Sequence, residues 1–284
     1  MDESGARSAV QELTGKDAVY FFDRCDAAIN YLLGYFKNHG ALRVLIPDSG
    51  GWFSYQKLPL KHGLEIIPIA TTDSLIDPAQ LSGIIRAKDI VLINAYGGYF
   101  VREPLEEIFA LCKKAGAFFI NDACACIGTP DAAIGDYIVC STRYDKPLAT
   151  GFGGFLATTE PIPELTHSPI TISRMPNYYT ALAAAIATLA EKREAYQKTR
   201  AKIMHDLSAY NILHPHAIGI NVTIAYSTPD EKAAIHAYCA QNNLDTVDCP
   251  NYIKVMQNAV SIEVKRITFK NSAHYHIIVT ESSD

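Results

Sequence analysis

Short apolar runs alternate with longer amphipathic stretches through the first two thirds of the chain. The runs are four or five residues long and bounded by turn formers, which predicts strands over residues 18–22, 43–46, 65–68, 89–93, 117–120, 136–140 and 154–157. Between them the apolar spacing becomes helical. Helices are predicted over residues 26–38, around 55–61, over 78–85 and over 104–115, the last with Pro104 in its first turn. Strands alternating with helices are the pattern of an α/β fold, a mainly parallel sheet covered by helices.

Residues 161–176, rich in Pro, Ser and Thr, read as a loop and a junction, and a long helix is predicted from about residue 177 to residue 210. Strands over residues 218–225, 259–264 and 274–279 around a helix over 229–242 then predict a small C-terminal α+β domain. The expected division is a large α/β domain over residues 1–195 and a small domain over residues 205–284, joined by the long helix. A chain of 284 residues is ample for a sizeable core.

Composition narrows the partners. Hydrophobic residues make up 49% and charged residues 19%, with no low-complexity tract, so a packed chain is expected throughout. The net charge is −5, and the 25 basic residues are scattered rather than gathered on one face, which argues against a nucleic-acid surface. The polar, acidic start lacks the basic and apolar parts of a signal peptide, and no window reaches ~18 unbroken apolar residues. A cytoplasmic protein without membrane contact is expected. None of the seven cysteines has CxxC spacing and the nine histidines form no ligand set, so free thiols and no metal site are expected.

Four predicted strands run directly into residues with chemistry to offer: Asp23-Arg24-Cys25-Asp26, Pro47-Asp48-Ser49, Asn94-Ala95-Tyr96-Gly97 and Asn121-Asp122. Ligands of open α/β sheets sit outside the carboxyl ends of the strands, so these loops are expected to line one site. Further along come Gly135-Asp136 and the segment from Ser141 through Lys146 to Thr150-Gly151-Phe152-Gly153-Gly154.

The stretch from Tyr96-Gly97 through Gly154 resembles the core of the DegT-like sugar aminotransferases, a branch of the fold-type I enzymes that depend on pyridoxal 5'-phosphate (PLP). Those enzymes carry Tyr-Gly after one strand, Asp-Ala-x-x-Ala-x-Gly after the next, then Gly-x-x-Gly-Asp, Ser-Phe-x-x-x-Lys and Thr-Gly-x-Gly-Gly. This chain keeps Asp122-Ala123, Gly128, Gly135-Asp136, Ser141, Lys146 and residues 150–154 at matching distances.

The resemblance implies a PLP cofactor held by Lys146 as a Schiff base, with Asp122 beside the ring nitrogen, Ser141 on the phosphate and Trp52 stacked on the ring. The chemistry agrees, because PLP enzymes need an amine that bonds the aldehyde and moves a proton, and a buried carboxylate that keeps the ring protonated. In relatives a Gly-Thr turn opening the first helix also meets the phosphate; here those positions are Cys25 and Asp26, preceded by Arg24. Arg174 matches an arginine that reaches the partner subunit's phosphate, although Ile172 stands where relatives have asparagine. Ala125 and Ile127 replace a glutamine and a histidine of the relatives, and both ends of the chain are shorter than theirs.

The implied activity is transfer of an amino group from an amino-acid donor such as glutamate to a keto substrate, usually a keto-sugar nucleotide, by a homodimer with a shared active site. Two other outcomes fit the same residues. One is a PLP-dependent lyase or desulfurase, with Cys124 and Cys126 as candidate thiols; the other is a non-catalytic relative that keeps the fold for binding or regulation.

Overall fold

The computed structural model of the chain describes residues 2–169 and 177–267. The first element is a helix that the polar composition of the start conceals: α1 (Glu3–Thr14), capped by the Asp2 carboxylate and buried along Ala6 and Val10. Then come β1 (Ala18–Phe22), α2 (Cys25–Asn38), β2 (Arg43–Pro47), α3 (Phe53–Lys61) and β3 (Glu65–Ile69). A small hairpin of β4 (Thr71–Thr72) and β5 (Leu75–Ile76) leads to α4 (Pro78–Ile84) and β6 (Ile90–Asn94). A second hairpin, β7 (Tyr96–Gly97) and β8 (Val101–Arg102), precedes α5 (Leu105–Ala115), β9 (Phe118–Asp122), β10 (Tyr137–Ser141) and β11 (Gly154–Thr158).

All seven predicted strands join one sheet, in the order β1-β11-β10-β9-β6-β2-β3. The pairs β10–β9, β9–β6, β6–β2 and β2–β3 are parallel, and β11 runs antiparallel to both β1 and β10. β6, flanked by β9 and β2 inside the sheet, is buried at all five positions, as a parallel strand covered on both faces must be. β3, at the edge, tolerates Pro68 because its outer amide row has no strand to pair.

The long helix predicted over residues 177–210 is two helices, α6 (Tyr178–Ala187) and α7 (Leu189–Asp206). They break at Thr188, whose hydroxyl donates to the Ala184 carbonyl, the local bond by which threonine competes with helix continuation. A four-stranded antiparallel sheet follows, β12 (Asn211–Ile212), β13 (Val222–Ala225), β14 (Thr246–Cys249) and β15 (Ala259–Ile262), in the order β12-β13-β15-β14, with α8 (Pro229–Gln241) against it. β12 and β14 are not anticipated from the sequence pattern, and β13 is shorter than expected. The strand expected over residues 274–279 lies outside the described residues.

One cluster of buried apolar side chains runs from Ala6 on α1 through the large sheet to Val222, Ile224, Val260 and Ile262 of the small one. The seven cysteines are buried and free. No helix among the described residues is long and apolar enough to cross a membrane.

Candidate active site

A cavity of about 240 Å³ opens at the carboxyl ends of the strands, where Cys25, Trp52, Asn94, Asp122, Ser141 and Lys146 converge from six segments. Cys25 opens α2, Asn94 ends β6, Asp122 ends β9, Ser141 ends β10, Trp52 precedes α3, and Lys146 sits on the loop between β10 and β11. Three parallel strands thus contribute their last residues and the loops after others supply the rest, which is why distant sequence positions meet.

The glycine-rich segment after Lys146 is scaffolding. The Thr150 hydroxyl donates to the carbonyls of Thr142 and Phe152 (2.8 and 2.6 Å), folding the loop back toward β10. Gly153 has φ of 84° and lies against the Tyr178 ring; any Cβ at Gly154 would sit 2.6 Å from the Cys25 amide nitrogen. These two glycines let β11 approach the start of α2, and the Gly153 amide donates to Asp23 (3.2 Å). Gly135-Asp136 is structural as well, with Asp136 ion-paired to Lys113 at the surface (3.0 Å).

Asp122 is buried and accepts from the Tyr55 hydroxyl (2.6 Å) and the Cys124 amide (3.0 Å). Burial pushes its carboxyl well above the usual carboxylate range, and the neighbouring Cys124 adds to this against the Tyr55 hydrogen bond. A cation placed beside it would restore its ionisation. Burial works against ionising Cys124, but hydrogen bonds from the Cys140 and Cys25 thiols and the charge of Lys146 bring that thiol well below its ordinary range. Cys25 Sγ, Cys124 Sγ and an Asp122 oxygen lie within 4.8 Å of one another. Cys126 does not line the cavity, and burial raises its thiol.

Lys146 is buried with its Nζ 3.0 Å from the Tyr99 hydroxyl and 3.8 Å from an Asp145 oxygen. The same Nζ lies 4.6 Å from the centre of the Trp52 ring, so the tryptophan presents a face to the amine. Burial alone would lower the Lys146 ammonium; the anions around it, Cys124 and Asp145 foremost, outweigh burial and raise it.

The N-terminus of α2 carries no side-chain cap, and Arg24, Cys25 and Asp26 all line the cavity there with Ser141 and Arg143. Uncapped amides at a helix start are anion sites, and Arg24 and Arg143 offset the Asp26 carboxylate. Asn94 is buried at the cavity wall with its Oδ1 lacking a hydrogen-bond partner among the described residues.

Six of the seven residues expected from sequence, Lys146, Asp122, Ser141, Trp52, Cys25 and Asp26, thus share one cavity. Arg174 lies outside the described residues. Asp48, Ser49, Tyr96 and Asn121 of the expected strand-end segments turn elsewhere, although Asn94 and Asp122 beside two of them line the cavity. Asp48 and Ser49 turn to Thr71 (2.6 and 2.8 Å), Tyr96 donates to Asp131 (2.9 Å), and Asn121 donates to the carbonyls of Asp131 and Ile134. Tyr55, Tyr99 and Asp145 were not singled out as site residues; nothing in their local spacing sets them apart from core or loop positions.

Residues 13–175 match the DegT/DnrJ/EryC1/StrS aminotransferase family, and residues 190–278 match the MJ1341 family C-terminal domain. No curated protein matches the chain by sequence. Among solved structures, DndA from Streptomyces lividans superposes with a TM-score of 0.70 at 16% identity, over 92% of this chain and 87% of that one. A 3-amino-5-hydroxybenzoic acid synthase gives 0.68 at 10% identity, over 92% and 85%. Helicobacter pylori PseC, an aminotransferase involved in the biosynthesis of pseudoaminic acid, gives 0.67 at 16% identity, over the same shares. At such identities the likeness is one of fold.

Proposed function

Because this chain belongs to the DegT/DnrJ/EryC1/StrS aminotransferase family, we propose that it transfers an amino group from an amino-acid donor to a keto substrate of the keto-sugar nucleotide class, with Lys146 as the covalent anchor of its cofactor. The chain has the fold-type I architecture of PLP-dependent transferases, and its cofactor is PLP. The observation that carries the reading is the convergence of a buried amine, a buried carboxyl, an indole face and an uncapped helix start on one cavity.

The residues present fit the cofactor. The first turn of α2 and the Ser141 hydroxyl would take its phosphate, Trp52 would cover one ring face, and the orphan Asn94 Oδ1 would meet a ring hydroxyl. Bound PLP supplies an aldehyde that accepts amines and a ring that takes up electron density. Asp122, held by Tyr55, would keep a proton at the ring nitrogen, whose positive charge in turn ionises the carboxyl. Lys146, released when an amino donor displaces it, would carry a proton to and from the substrate carbon, with the Tyr99 hydroxyl orienting its Nζ.

The large and small units, residues 1–195 and 205–284, are proposed to work as a cytoplasmic homodimer, to which the exposed Phe53 and Leu60 of α3 would offer apolar surface next to Trp52. The test is the absorbance spectrum after incubation with PLP, followed by borohydride reduction and peptide mapping. The expected result is a visible band that disappears on adding glutamate, as the bound cofactor becomes its amine form, and that borohydride added without a donor fixes on Lys146. Labelling spread over surface lysines would sink the reading. A Lys146 adduct that no amino donor converts would turn it toward the lyase or desulfurase outcome.

A further inference from the structure

The C-terminal unit brings two more buried lysines to Lys146. Lys254, on the loop after β14, and Lys265, in the 3-10 turn Val264–Arg266, have their Nζ atoms 5.6 and 4.8 Å from the centre of the Tyr99 ring, where Lys146 stands at 5.0 Å. Tyr99 is held at φ 71°, a left-handed conformation unusual for a bulky residue. Its carbonyl accepts from the amides of Ile220 and Asn221 (2.8 and 2.9 Å), so the C-terminal unit fastens the turn that carries it.

Two carboxylates pair with the three ammonium groups. Glu263 pairs with Lys254 at 2.5 Å and with Lys265 at 3.5 Å. Asp145, the residue before Lys146, stands between the other two: one of its oxygens is 3.8 Å from Lys146 Nζ and 3.4 Å from Lys265 Nζ. We propose that Lys265 is a positioning residue for Lys146, the two amines competing for the single Asp145 carboxylate so that Lys146 sheds its proton more readily than it would with that anion to itself.

The other titratable groups facing Lys146 are Asp122 at the end of β9, Cys124 just after it, Cys25 from α2 and Tyr99, with Arg24, Asp26 and Arg143 along the wall of the same cavity. Among the cations nearby, Lys265 and Lys254 are lysines whose charge is coupled to that of Lys146. Burial first, and then the charge of Lys146, push the Lys265 ammonium down to about 8. Such coupling is mutual, since each charge disfavours the other, and the protons leave the pair as a unit. The inference rests on Lys146 being the working amine, but it is a statement about the chain alone.

The test labels the full-length chain, freed of cofactor, with acetic anhydride from about pH 6 to about pH 11 and follows acetylated Lys146 by peptide mass mapping. Lys265→Met is expected to raise the Lys146 midpoint by about one pH unit, a tenfold slower acetylation at a fixed pH below it. Lys265→Arg keeps a fixed cation and is expected to leave the midpoint in place or lower it. Asp145→Asn is expected to lower it. An unchanged midpoint in a folded Lys265→Met protein overturns the proposal, as does a rise in both the Met and the Arg variants. Should the Met variant not fold, a midpoint that fails to fall in Asp145→Asn overturns it alone. Failure of the chain to take up PLP would remove the proposed aminotransferase function while leaving these midpoints to be read.

Discussion

Replacing Glu263 by Gln tests whether the buried charges that the C-terminal strands carry to Lys146 hold the two units together. Its carboxylate lies 2.5 Å from Lys254 Nζ and 3.5 Å from Lys265 Nζ, all three side chains being buried, and it also accepts from Asn221 Nδ2 at 2.9 Å. Glutamine keeps the shape and one acceptor but leaves buried Lys265 with Asp145 as its only carboxylate and buried Lys254 with the Gly98 carbonyl (3.0 Å) in place of an anion among the described residues. Removing one partner of a buried ion pair costs about 3–5 kcal/mol, because the survivor stays desolvated without compensation. At roughly 2–4 °C per kcal/mol for a chain of this size, the melting temperature should fall by roughly 10 °C.

The pH dependence separates this from a packing defect. Lys254 and Lys265 are already lowered from 10.5 by burial, and losing the carboxylate lowers them further. A lysine whose folded value lies below its unfolded value makes the unfolded chain bind more protons, so stability rises with pH in that window. The deficit of Glu263→Gln should therefore shrink between pH 7 and pH 9. Urea unfolding followed by circular dichroism at both values measures it. A deficit under about 1 kcal/mol, or one equal at both pH values, refutes the account of a charge-compensated network.

Trp52→Ala should leave the fold intact and weaken PLP uptake roughly fivefold to tenfold, the worth of one aromatic stack, in a fluorescence titration; unchanged affinity would place the indole outside the cofactor's contacts. Asp122→Asn should still form a borohydride-trappable adduct on Lys146 but lose about 10²-fold or more in the rate of conversion by an amino donor, read by stopped-flow absorbance; a rate near wild type would remove Asp122 from the chemistry. Glu103, buried and accepting from the Ile76 amide at 2.9 Å, is pushed by burial up to about 8. The folded chain then holds a proton that the unfolded chain releases above about 4.5, so stability should fall from pH 5 to pH 8, by about 3 kcal/mol at pH 7, and Glu103→Gln should flatten that fall in urea unfolding. Gly153→Ala, at φ 84° against Tyr178, should cost about 1–3 kcal/mol and loosen the Lys146 loop, seen as faster amide exchange over residues 142–153.

The large sheet was legible because its strands are short apolar runs whose burial on both faces needs no knowledge of their partners, and each predicted strand overlaps an observed one. The helix α1 was missed because its buried stripe is only Ala6, Val10 and Thr14 amid polar residues. The break at Thr188 was missed because a single hydroxyl back-bond leaves no trace in a run of good helix formers. In the C-terminal unit the alternation of Val260, Ile262 and Val264 with Ser261, Glu263 and Lys265 reads as a strand with one wet face. The structure buries both sets, the polar one against Lys254, Asn221 and Asp145.

What the sequence by itself determined is the order of elements and the identity of the central groups. Apolar period settles strand against helix locally, and the spacing from Asp122 to Ser141 and Lys146 spans only the crossover and loop that bring three neighbouring segments to one cavity. Only the tertiary structure decided the surroundings. It turned the glycine-rich segment into an antiparallel strand pinned against α2, put Tyr99 at the cavity, and carried Lys254, Glu263 and Lys265 to Lys146 across more than a hundred residues. The reason is physical: an apolar residue is buried wherever its pattern lands, whereas a charged one can be buried only where partners from elsewhere in the chain compensate it, and no local pattern names those partners.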